Sequence, residues 1–126
     1  MATYTPSWGV ETTDSALNAT AVTAGTAGDA IDATAKMMVH GTVDANPPVT
    51  PTDDLIIRIQ GSLDGTNFDD TPLWEGRIDK GTDPNQVSYL LGPPLPCYFR
   101  AYCLRSGSTD TIAVTHHYRL GTFVST

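Results

Sequence analysis

Three histidines, two cysteines and two acidic doublets carry the chemistry this sequence could offer. His116 and His117 are adjacent, and neighbouring strand residues point to opposite faces, so the pair cannot hold one metal ion together. His116 is in phase with Ile112, Val114, Tyr118 and Leu120, which predicts a core histidine with satisfied hydrogen bonds. His117 and His40 fall in polar phases and are expected in solvent. Cys97 and Cys103 share a phase at a separation of roughly 20 Å of strand, beyond disulfide reach. Both are expected to be buried free thiols. Asp53-Asp54 and Asp69-Asp70 cluster carboxylates as Ca²⁺ loops do but lack EF-hand spacing, and they read as solvated loop charge. There is no Gly-x-Ser-x-Gly elbow, no phosphate-cradling glycine loop and no dinucleotide fingerprint. The expectation is a structural or binding protein rather than an enzyme, with no catalytic residue, no metal and no cofactor.

The charge balance narrows the partners. Fourteen acidic residues face seven basic ones, a net charge of −7, and the chain has no run of Lys or Arg. Such a surface repels phosphate backbones and anionic bilayers, so neither nucleic acid nor membrane is an expected partner. No apolar stretch is long enough to span a bilayer as a helix. The opening Met-Ala-Thr-Tyr-Thr-Pro-Ser-Trp lacks the basic and apolar regions of a secretory signal, which predicts synthesis and folding in a cytoplasm without secretion. A length of 126 residues corresponds to one domain.

These side chains must be positioned by strands. Val39 and Val43 with Met37, Leu55 through Ile57 and Ile59 to Leu63, Val87 through Tyr89 to Leu91, Phe99 through Ala101 to Cys103, and Ile112 through Val114 to Leu120 each repeat every second residue. That period, in segments rich in β-branched and aromatic residues, predicts half-buried antiparallel strands. Pro-rich and Gly-rich connectors at 46–51, 81–85 and 92–96 cannot be interior strand. Residues 106–110 are expected to join the last two strands as a hairpin. Ser62-Leu63-Asp64-Gly65-Thr66-Asn67-Phe68 predicts a turn that returns an aromatic to the core. The fold class is all-β, an antiparallel β-sandwich of jelly-roll or Ig-like type.

Residues 1–35 differ from residues 36–126. They contain no Lys or Arg, and 14 of the 24 residues from 12 to 35 are Ala or Thr. So few large apolar groups cannot offset ordering entropy alone. The segment reads as an extended N-terminal arm that becomes ordered by lying on a partner or on the domain's own sheet. Tyr4 and Trp8 are its natural anchors, with Val10, Leu17 and Val22 as further contacts.

The run from Ile57 to Phe68, followed by Cys97-Tyr98-Phe99-Arg100-Ala101-Tyr102-Cys103-Leu104-Arg105-Ser106-Gly107-Ser108, resembles small β-sandwich virion proteins of tailed bacteriophages. The resemblance covers roughly residues 55–120 and leaves out the arm. It implies a capsid decoration (cement) protein on the virion surface, with the major capsid protein as partner and a homotrimer as its assembly. The alternative it implies is a surface or tail-associated module binding a host glycan, for which Trp74, Tyr98 and Tyr102 are the candidate aromatics.

Overall fold

The computed structural model describes residues 3–48, 50–80 and 85–125. Val49 and residues 81–84, expected in connectors, lie outside the described residues. Among the described residues, eleven strands form: β1 (Tyr4–Trp8), β2 (Thr12–Thr13), β3 (Thr20–Val22), β4 (Thr26–Ala27), β5 (Ile31–Asp32), β6 (Met38–Asn46), β7 (Leu55–Ser62), β8 (Trp74–Ile78), β9 (Gln86–Leu91), β10 (Tyr98–Arg105) and β11 (Ile112–Ser125). They make two antiparallel sheets. Sheet A has the order β1-β11-β6-β9, with β2 and β3 also pairing with β11. Sheet B has the order β4-β10-β7-β8, with β5 also pairing with β10.

The strand order decides between the two sandwich types. Taken together, β1, β2 and β3 form one interrupted rung along β11, and β4 and β5 form a second along β10. The remaining pairs are β6 with β9 and β7 with β8. First rung with last, second with seventh, third with sixth and fourth with fifth is the nested pairing of an eight-rung ribbon rolled into two sheets, which is a jelly roll.

The core lies between the sheets. Val39 and Val43, Leu55, Ile57 and Ile59, Phe99, Ala101 and Cys103, and Ile112 and Val114 are all buried. The alternation places them because each of these strands has one face on the core. Gly41 faces Tyr89 directly in the β6–β9 register. A Cβ at position 41 would run into the Tyr89 ring, so the bare backbone is what admits that ring to the core. Tyr89 then packs against Trp74 of sheet B at 5.5 Å and His116 of sheet A at 5.8 Å between ring centroids.

Several expectations need correction. Residues 12–33 lie on the domain's own sheets, one of the two placements the sequence leaves open: they supply edge rungs to both sheets and Leu17, Val22, Ile31 and Ala33 to the core. Leu17 and Val22, read from the sequence as contacts of the arm, are fully buried in the core of this chain rather than exposed on its surface. Alanines and threonines suffice in this segment because an edge rung needs only an occasional inward apolar residue. The 106–110 loop is not a hairpin: β10 and β11 lie in different sheets. Leu63 and Met37 are exposed, since β7 ends at Ser62 and β6 begins at Met38. Cys97 is exposed, and only Cys103 is buried, because β10 starts one residue after Cys97.

Candidate functional site

His116 is fully buried. Its Nδ1 lies 2.9 Å from Asp14 Oδ2, and its Nε2 lies 2.7 Å from the Tyr89 hydroxyl. Asp14 also accepts backbone N–H bonds from Ala16 and Asp29 through Oδ1. Burial pushes the Asp14 carboxyl up, but the bonds from His116, Asp29 and Ala16 together outweigh it and hold the carboxyl below the usual range. The three side chains tie the first rung, β9 and β11 together. This is a satisfied core histidine, as its phase predicts.

The loop carboxylates are structural too. Asp53 Oδ2 accepts from the N–H groups of Thr109 and Asp110, and Asp110 Oδ2 accepts from those of Thr52 and Asp53. This reciprocal clamp fastens the sheet-crossing 106–110 loop. Asp53 and Asp110 are buried, so the reading of Asp53 as solvated charge is overturned: backbone donors replace its water. Among the described residues, no three His, Cys, Asp or Glu side chains converge as a metal site would require.

The exposed apolar surface gathers at one end of sheet A. β1 pairs with the last five residues of β11, Gly121 to Ser125. Every residue of β1 is exposed, so the two strands form a ribbon beyond the sandwich. Pro6, Trp8, Met38, Leu90, Leu91, Gly92, Pro93 and Phe123 line an open groove of about 370 Å³. Gly121 lies between Met38 and Trp8, and its missing side chain is the space both occupy. Trp8 meets His40 edge-on, with centroids 6.3 Å apart. Leu90 is 65% exposed, Phe123 40% and Trp8 37%. Tyr4 alternates onto the Trp8 face of β1, and Val10 follows it, almost fully exposed. Beyond the groove the same sheet face turns polar, with Glu11, His40, Thr42, His117 and Arg119 around a shallow depression. An apolar centre beside a polar margin is the anatomy of a protein interface.

The free edge of β1 is closed to a further strand. Gly9 N–H donates to Leu120 O at 2.7 Å, so in an antiparallel ladder Ser7 and Thr5 also face β11. The backbones of Tyr4, Pro6 and Trp8 face outward, and Pro6 has no N–H to give. A proline at the middle of an edge strand blocks sheet-to-sheet pairing. This end therefore offers a partner its side chains rather than a backbone ladder.

The other predicted aromatics lie elsewhere. Trp74 packs against the core and Tyr89, where it closes the sandwich between β8 and β9, and a glycan cannot reach its full face. Tyr98 and Tyr102 are half-buried on the outer face of sheet B, with Arg100 between them. Phe68 does not return to the core but lies beneath the Arg100 guanidinium at 4.2 Å. The turn that brings it there is built on Asp64, which accepts from Ser62 Oγ and from the N–H groups of Thr66 and Asn67. Gly65 takes a φ of 78°, a left-handed conformation that favours glycine.

Of the groove residues, the sequence reading named Trp8 alone. Phe123 and Leu90 carried a signal in their phase: both are out of step with the inward residues of their strands. Asp14 carried none, since its partner His116 is 102 residues away. Comparison of the chain with protein-family models, curated proteins and solved structures finds no match.

Proposed function

We propose that this chain is a structural protein of a tailed-phage particle, a capsid decoration protein that docks on the major capsid protein and stabilises the head. The observation that carries this reading is the apolar groove at the ribbon end of sheet A. None of the residues lining it is charged, although the chain as a whole carries a net charge of −7. A contiguous exposed apolar surface on a small acidic domain marks a place for protein contact. The jelly roll is used by viral capsid and lectin domains, a support by analogy of fold alone. A ring of three chains at a lattice three-fold would present three such grooves to the capsid.

The test is the copy number of this chain in purified particles of its source, by quantitative mass spectrometry against the major capsid protein. Decoration requires a ratio near one chain per capsid subunit, or one trimer per three-fold position. A handful of copies per particle would move the protein to the tail or a vertex, and complete absence would overturn the reading.

A further inference from the structure

Among the described residues, one arginine on the outer face of sheet B has no carboxylate partner. Arg58 pairs with Glu75, Arg77 with Asp54 and Asp79, and Arg119 with Glu11. Arg105 donates to the Asp110 carbonyl. Arg100 has no carboxylate partner among the described residues, in a chain where carboxylates outnumber cations two to one. It is nevertheless held in place. Its Nε donates to Gln60 Oε1 at 2.9 Å, and its guanidinium lies 4.2 Å over the Phe68 ring and 5.6 Å from that of Tyr102. The two terminal nitrogens are left as a fork that matches a carboxylate.

Its neighbours extend the site. Tyr98 and Tyr102 stand on either side of Arg100 along β10, each roughly 7 Å away by strand geometry. The Tyr98 ring packs over Gly65, and the Tyr102 hydroxyl lies over Gly25, so both rings are fixed by close contact with backbone. Gln60 of β7 is itself buried and serves to hold Arg100. The aromatic rings of Tyr98 and Tyr102 on β10 and of Phe68 in the turn after β7, around a pre-positioned cationic fork, suit a sugar ring bearing a carboxylate. The rings take the C–H faces, the fork takes the acid, and the phenols take hydroxyls. We infer that the outer face of sheet B binds acidic sugars through Arg100, flanked by Phe68, Tyr98 and Tyr102. This face lies across the sandwich from the groove side of sheet A, so a chain docked through that groove would still present it.

Titration of the full chain, followed by backbone NMR shifts, tests this with a sialylated trisaccharide and a hexuronate trisaccharide, each against its neutral counterpart. The acidic sugars are expected to move Phe68, Tyr98, Arg100 and Tyr102, and to bind about tenfold or more tighter than the neutral ones. Arg100→Gln should abolish the preference. Arg100→Lys, which keeps the charge and loses the fork, should weaken it, with thermal melting reporting that both variants fold. No shift with any sugar, equal shifts with neutral sugars, or unchanged binding by Arg100→Gln in a folded chain would overturn the inference. Equal binding of a triglutamate peptide would overturn the sugar assignment.

Discussion

At the scale of single residues, the Asp14–His116–Tyr89 chain is where one atom matters most. A buried donor or acceptor that loses its partner costs more than the bond itself contributed. Asp14→Ala strands His116 Nδ1 and the N–H groups of Ala16 and Asp29 at once, and should cost about 3 kcal/mol. Tyr89→Phe leaves only His116 Nε2 unmet and should cost about 1–2 kcal/mol. Urea unfolding of the two variants at equal m-value checks the order. The cysteines give a second reading of the same core. Burial, with the nearby Asp14 charge, pushes the Cys103 thiol up to about 12, whereas Cys97 is exposed. A thiol reagent at neutral pH should label Cys97 alone in the folded chain and both residues in denaturant; rapid native labelling of Cys103 would contradict its burial. Asp64 supplies a pH signature. The N–H groups of Asn67 and Thr66, with the Asn67 and Ser62 side chains, hold its carboxyl well below the ordinary 3.8. The unfolded chain therefore takes up that proton first, and the stability Asp64 contributes is complete above 3.8 and lost as pH falls below it. The stability difference between the native chain and Asp64→Asn should accordingly shrink from about pH 6 to about pH 3.

At the scale of elements, most of the N-terminal segment is built into the two sheets. Removing residues 1–35 would strip an edge rung from each sheet and take Leu17, Val22, Ile31 and Ala33 out of the core. Losing one buried leucine alone costs about 2–5 kcal/mol, so this truncation should show no cooperative melt. Removing residues 1–9 deletes only the exposed β1 and should leave a cooperative transition by circular dichroism. The contrast explains what the sequence could reveal. β6, β7, β9, β10 and β11 are five residues or longer with one face on the core, so period two is written in them and the sandwich was legible. The rungs β2, β4 and β5 have two residues each, too few to show a period, and their pairing is dictated by β10 and β11 far along the chain. The same limit hid the passage from β10 to β11. Its Gly and Ser residues are those of a hairpin, and contacts between distant residues, chief among them the Asp53–Asp110 clamp 57 residues apart, hold the chain as it crosses to the other sheet. Of the candidate site, Trp8 and Tyr4 were legible as aromatics outside any apolar run. Met38, which contacts the ribbon across Gly121, was not.

At the scale of the molecule, stability and docking should separate, because they belong to different surfaces. The core holds the two sheets together through residues with almost no exposure. The rim of the groove is formed by side chains that the fold leaves largely in water: Leu90 is 65% exposed, and Phe123, at 40%, surrenders only part of its surface on unfolding. A charge at Leu90 therefore meets solvent rather than a neighbour, and Leu90→Asp with Phe123→Ser should cost about 1–2 kcal/mol, chiefly from the covered part of Phe123, and leave the chain folded. The same pair of changes places a carboxylate in an apolar contact and removes an aromatic anchor. Burying that carboxylate without a partner is costly, so if the groove is the capsid-docking surface proposed above, association with the capsid lattice should fall by a factor of about 100 or more. Co-sedimentation of the full chain with particles lacking it, read beside melting curves of the same preparations, measures both quantities. A double variant that still melts cooperatively and still sediments with particles would remove the groove from the interface.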